Sequence, residues 1–276
     1  MTDLNLRQLA AKATQLRIHA LDAVYGAQSG HLGGSFSSAE ILTALYFSVM
    51  RIDPALPRWE ARDRFVLSKG HITPAYYSAL AMRGFFPVEE LQRFRKFDSF
   101  LQGHPDRKHI PGVDMSSGSL GQGISVAVGM AVAGKLKQAD HRVYALLGDG
   151  EIQEGQVWEA FMLATHRRLD NLCVIIDNND LQCDGHVSEV NSPYPIDEKL
   201  RAFNWNVLCI DGHNLKELLS AFEKAANCKG KPTAILARTV KGKGVSFMEN
   251  QAGWHGKVPN AEEYQKAKAE LEEAIS

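Results

Sequence analysis

The chain has 276 residues, 45% of them apolar and 23% charged, enough for one large α/β domain or two small ones around a sizeable core. Its formal net charge is -1, and Lys and Arg are scattered rather than gathered into a stripe, which excludes nucleic acid as the partner. No apolar run has the length of a membrane span or signal peptide, so the chain is expected to be cytoplasmic, with no membrane partner.

From Leu4 to Tyr25, apolar residues recur at three- and four-residue intervals (Leu6, Leu9, Ala13, Leu16, Ala20, Val24), predicting an amphipathic helix. "SSAEILTALYFSVM" predicts a second helix, opened by a serine cap and an early glutamate. "RFVLS" reads as a short buried strand, and "TPAYYSALAMRG" as a helix that ends at Gly84. A glycine-rich loop then leads into the small-residue helix "GQGISVAVGMAVAGKLK". From Arg142 the rhythm is strand, helix, strand: "RVYALL", "IQEGQVWEAFMLATHRR" and "NLCVIID". The strand "WNVLCI", the helix "NLKELLSAFEKAA", the strand "PTAILARTV" and the charged helix "NAEEYQKAKAELEEA" follow.

Apolar strands without polar alternation, separated by helices, predict an α/β fold: a doubly wound, mostly parallel sheet with helices on both faces. With no repeat or linker, a single domain over residues 1–276 is expected, its helical N-terminal third packed on the sheet. Cys173, Cys183, Cys209 and Cys228 show no metal-binding spacing and read as reduced thiols serving as small buried apolar residues.

Gly148, Asp149 and Gly150 stand where a strand ends and the next helix begins, the place where doubly wound sheets bind ligands. A diphosphate there would be cradled by backbone N–H groups, but a carboxylate repels it, so a cation must lie between. Magnesium is suited, being a hard ion shared between one or two protein oxygens and phosphate oxygens. The next strand ends in Asp177, Asn178 and Asn179, and Asn179 comes thirty positions after Asp149, the length of one βαβ unit. Taken singly, Asp-Gly and Asn-Asn are ordinary turn sequences; joined by one strand-helix-strand unit they make a metal site. "GSLGQG" has the wrong glycine order for a nicotinamide-binding fingerprint.

His31, His71, His104 and His255 each sit beside a glycine in a turn-rich segment. Each alone reads as an ordinary loop histidine. Together they suggest a polar pocket for hydrogen bonding and proton transfer at carbohydrate oxygens.

These segments resemble transketolase. "SGHLGGSFSSAEIL", "DRFVLSKGH", "LQGHPD", "GSLGQG", "GDGEIQEGQVWEA" and "RTVKGKGVSFMENQAGWHGK" follow the order of that family's N-terminal portion, over about Leu9 to Glu263. Within the family, the chain resembles the N-terminal subunit of split transketolases. The resemblance implies thiamine diphosphate as cofactor, with Mg2+ or another divalent cation such as Ca2+ or Mn2+ held by Asp149, Asn179 and the Leu181 carbonyl. Gly148, Gly150, Glu151, His71 and His255 would lie against the diphosphate end, and Gly118, Ser119 and Leu120 against the aminopyrimidine. His31, His104 and His255 would hold the donor ketose, while Glu154 and Glu159 match acidic positions linking two cofactors of a dimer through a buried proton network. Three departures from the family pattern stand out: Leu32 in place of proline, "SGSLGQG" in place of "TGPLGQG", and Asp180, which adds a charge beside the metal.

The resemblance further implies an enzyme that transfers a two-carbon ketol unit from a ketose phosphate to an aldose. The partner would be a C-terminal subunit carrying the pyrimidine-binding domain and the activating glutamate, in a heterotetramer with two of each chain. Competing readings are a piece of deoxyxylulose-phosphate synthase, a 2-oxoacid dehydrogenase alpha subunit, or a non-catalytic cofactor-binding scaffold. The glycine-flanked histidines favour sugar chemistry.

Overall fold

The computed structural model describes residues 5–275. Helix α1 (Leu6–Ala27) opens with a capping box in which Asn5 and Gln8 satisfy each other's backbone N–H groups. The expected start at Leu4 lies outside the described residues. Next come α2 (Gly33–Ser37), α3 (Ala39–Ala44) and a π-turn over Leu45–Val49. Strand β1 (Arg64–Leu67) leads to α4 (Thr73–Arg83), which ends as expected at Gly84, whose φ of 99° suits glycine. Helix α5 (Gln122–Leu136) precedes β2 (Val143–Gly148), α6 (Gly155–His166) and β3 (Leu172–Asn178). A small hairpin of β4 (Leu181–Gln182) and β5 (Gly185–His186) is followed by α7 (Val187–Val190) and α8 (Ile196–Ala202). The chain closes with β6 (Asn206–Asp211), α9 (Leu215–Asn227), β7 (Thr233–Arg238) and α10 (Ala261–Glu273).

Five of the strands form one parallel sheet in the order β1-β2-β3-β7-β6. Successive residues of each strand face opposite sides, which explains why the strands are apolar throughout. Phe65, Tyr144, Ile175 and Ile235 join the core that contains the buried faces of α1, α3, α4 and α9. Val66, Ala145, Val174 and Ala234 join the second core, built with α5, α6 and α8.

Three local expectations are corrected. The segment 37–50 is not one serine-capped helix: it is interrupted at Ser38, which caps nothing and donates with Ser37 to Asp177. The helix expected from Ile152 begins at Gly155, because residues Gly150–Gln153 form a 3-10 turn. Of the four free cysteines only Cys173 is buried; Cys183 and Cys209 are exposed and Cys228 half-buried, since β6 is an edge strand and Cys183 sits in the hairpin turn.

Candidate active site

Gly148 is in register with Asp177 at the carboxyl ends of β2 and β3. Asp149 follows and is buried, 3% exposed. Its Oδ1 accepts the N–H of Gly150 (2.8 Å) and its Oδ2 that of Asp180 (2.6 Å), tying the first strand end to the loop that carries Asn179. Burial, then the nearby Asp177 carboxylate, raise its pKa to about 6. Asn179 Oδ1 accepts from the N–H of Leu181 at 3.1 Å and keeps a second lone pair. The Leu181 carbonyl accepts from the Lys241 ammonium at 2.7 Å.

These groups border a cavity of about 180 Å3, lined also by Gly34, Lys69, His71, Gly148, Gly150 and His255. The glycines keep it open. A Cβ on Gly34 would come within 2.9 Å of Ile72 and 3.6 Å of both His71 Nε2 and Lys69 Nζ, and one on Gly150 within 3.3 Å of Gln182. Of the other expected cofactor contacts, Leu120 lines the cavity too, whereas Ser119 is exposed beside it in sequence. Gly118 packs on the His104 ring, where a Cβ would meet the ring carbons at 3.2 Å.

Two buried lysines escape notice in the sequence, Lys69 and Lys241, each 2% exposed. The only hint is that each stands beside a glycine inside a motif already singled out. Lys69 pairs with Asp177, which is fully buried and also receives Ser37 Oγ (2.6 Å), Ser38 Oγ (3.1 Å), Asn179 Nδ2 (3.3 Å) and Thr239 Oγ1. Burial pushes the Asp177 carboxyl up, but Lys69 and the hydroxyls together hold it below the usual range. Asp177 is therefore a structural junction, and Asn178 accepts the Tyr194 hydroxyl at 2.7 Å, which leaves Asn179 as the free ligand of that strand end.

Glu151 lines the cavity, yet its carboxylate is taken by the N–H groups of Gly121 (2.9 Å) and Gly148 (3.0 Å) and by the Ser68 hydroxyl. It holds three loops in place. Asp180 does not add a charge to the cavity: its carboxylate bonds Ser188 and His186 in the hairpin.

Three of the four histidines come together. The rings of His31, His71 and His255 lie 5.2 to 5.4 Å apart, while His104 stands on the neighbouring loop. Burial, followed by Arg95 for His31 and Lys241 for His255, lowers their pKa values to about 4 and about 3. Burial and Lys69 lower His71, and burial and Arg95 lower His104. All four are neutral at pH 7, so each offers one donor and one acceptor. Because His255 Nδ1 faces the Lys241 ammonium at 2.9 Å, it accepts there and the ring proton sits on Nε2. Glu154 and Glu159 are exposed at the start of α6 rather than buried within the chain.

A parallel sheet with buried lysines, a carboxylate-amide pair and neutral histidines at its carboxyl edge defines a diphosphate-binding α/β domain. A family model described as "Transketolase, thiamine diphosphate binding domain" matches residues 8–273. The 6-deoxy-6-sulfo-D-fructose transketolase subunit SqwG of Clostridium sp. (strain MSTE9) is 47% identical over 96% of this chain and 96% of its own length. One of the two-chain relatives, the A chain of the apulose-4-phosphate transketolase of Phocaeicola vulgatus, is 41% identical over 99% of this chain and 96% of its own. The solved transketolase of Campylobacter jejuni superposes with a TM-score of 0.92 at 35% identity, over 98% of this chain but 43% of the longer one. The chain belongs to the transketolase family, a family of transferases, as its N-terminal, thiamine diphosphate-binding subunit.

Proposed function

We propose that this chain, folded as a single domain, is the cofactor-anchoring subunit of a two-chain transketolase that moves a two-carbon ketol unit from a ketose phosphate to an aldose. The observation that carries the reading is the convergence of the Asp149 carboxylate, the Asn179 amide and the Leu181 carbonyl on one glycine-lined cavity, with a lysine ammonium already directed at the carbonyl. Oxygen donors around a point that attracts positive charge fit a hard divalent cation, Mg2+ first, with Ca2+ or Mn2+ as substitutes. Thiamine diphosphate, when bound, supplies an electron sink for cleaving the bond between two sugar carbons.

The chain's own residues hold and orient. Asp149, Asn179 and Leu181 would hold the cation, while Lys241 and the Gly150 N–H would face diphosphate oxygens. Neutral His31, His71 and His255 would donate and accept hydrogen bonds at sugar hydroxyls and the ketose carbonyl, with His104 closing the channel from its loop. The activating glutamate is assigned to a C-terminal partner with a pyrimidine-binding domain. Leu120, Val126, Leu136, Met162 and Leu163 are exposed on and around α5 and α6, beside Glu159. That apolar face suits a second copy of this chain, which would bury Glu154 and Glu159 in a heterotetramer. The enzyme is assigned to the cytoplasm, as suits one that acts on sugar phosphates. Among the described residues no helix is long and apolar enough to cross a membrane.

The test is calorimetry with the assembled enzyme. Asp149→Ala should abolish magnesium-dependent binding of thiamine diphosphate, and unchanged affinity would remove the metal assignment. The chain assayed without its partner should give no turnover; activity equal to that of the complex would refute the two-chain reading.

A further inference from the structure

We infer that a basic pocket at the amino end of β1 is a second anion site, one that takes a phosphorylated small molecule. The pocket measures about 410 Å3, within the range of small-ligand sites, and is walled by Arg58, Arg62, Arg64, Arg107 and Lys108. Asp114 is the acid in its lining, and it is already spent. Its carboxylate accepts from Arg62 Nη1 (3.1 Å) and Nη2 (2.5 Å) and from the Phe65 N–H (2.9 Å). Arg64 is spent as well, donating to the carbonyls of Trp59, Glu60 and Arg62.

Three cations remain. Arg58, Arg107 and Lys108 are exposed, and among the described residues their side chains make no hydrogen bond or ion pair. Arg62, 6% exposed, forms the pocket's inner wall, and its Nε is buried with no partner. An orphaned guanidinium N–H in a buried arginine is a costly feature that a ligand oxygen would relieve. The loop bearing Arg107 and Lys108 is held in shape before any ligand arrives: Asp106 accepts the Lys108 N–H (2.9 Å) and pairs with His109, and Ser116 Oγ accepts the Arg107 N–H (2.9 Å). Several separate cations around one hollow, in a chain of net charge -1, match the three oxygens and double charge of a phosphoryl group.

The pocket is distinct from the cofactor cavity, and the inference does not rest on the proposed function. Arg62 and Arg64 stand at the amino end of β1, whereas Lys69 and His71 follow its carboxyl end. The two regions share only the loop that runs from His104 to Asp114.

The test uses the full chain with magnesium and thiamine diphosphate present, so that the other anion site is filled. Inorganic phosphate is titrated at constant ionic strength and read by calorimetry and by the arginine side-chain N–H signals in NMR. Saturable binding that moves the Arg62 Nε–H signal is expected. The triple substitution Arg58→Ala, Arg107→Ala, Lys108→Ala should weaken it by roughly tenfold or more, about 1.4 kcal/mol, with cofactor affinity unchanged. Tighter binding of glycerol 3-phosphate than of phosphate would identify a phosphate ester as ligand, and the reverse order free phosphate; either supports the site. Citrate binding as tightly as phosphate, no saturation at millimolar phosphate, or equal affinity in the triple variant would overturn it.

Discussion

Glu40 offers a test of how the site's floor is held. Both oxygens of its carboxylate receive Arg17, at 2.7 Å each, and Oε2 also receives His213 Nδ1 at 2.9 Å. Since His213 Nε2 accepts the Val240 N–H, the imidazole proton is on Nδ1 and the ring donates to Glu40 even when neutral. Arg17 also donates to the Phe36 carbonyl, so the cluster fastens α2 and α3 to α1 and to the loop after β6. Burial alone would raise the Glu40 pKa, but Arg17 and His213 bring it from 4.5 down to about 2. Each pKa unit is worth about 1.36 kcal/mol, so the charged form contributes about 3 kcal/mol. A folded-state value below the unfolded one means that this contribution is complete above pH 4.5 and is lost as the pH falls toward 2. Glu40→Gln should therefore cost about 3–5 kcal/mol at pH 7, as expected when one member of a buried pair is removed. The gap between variant and wild type should narrow steadily below pH 4.5. Urea unfolding at pH 7, 5 and 3 measures this. A cost below about 1 kcal/mol, the size of a surface ion pair, or a gap independent of pH would refute the reasoning.

Lys241→Met removes the ammonium that reaches the Leu181 carbonyl and His255, and should weaken cofactor binding roughly 10- to 100-fold in calorimetry while the fold survives. His255→Ala should leave circular dichroism and melting nearly unchanged and lower the transfer rate of the assembled enzyme; wild-type rates would exclude it from the site. Gly123→Ala places a Cβ 2.6 Å from Ser68 Cα, a backbone atom that cannot step aside, so thermal unfolding should show a loss of about 1–3 kcal/mol.

The sheet was readable because strands covered on both faces are apolar without interruption, as "NLCVIID" shows. Asp149 and Asn179 were readable because turn sequences at consecutive strand ends of one βαβ unit must meet. Lys69 and Lys241 were not, because a lysine's burial depends on a partner, and Asp177 lies 108 positions from Lys69. Ser38 misled for a related reason: a serine before a helical pattern suits a cap, yet its hydroxyl found a carboxylate 139 positions away. Glu154 and Glu159 are placed by α6, but what covers them lies beyond one chain. Periodicity reports on local geometry, whereas these roles are set by contacts between distant segments.

Asp177 gathers donors that begin at residues 37, 69, 179 and 239 onto one carboxyl group. A knot of that kind cannot loosen by degrees, because freeing any one strand deprives the others of their common anchor. Amide hydrogens in these four segments should exchange with solvent at a single shared rate, and the cradle should be absent from every half-folded form of the chain.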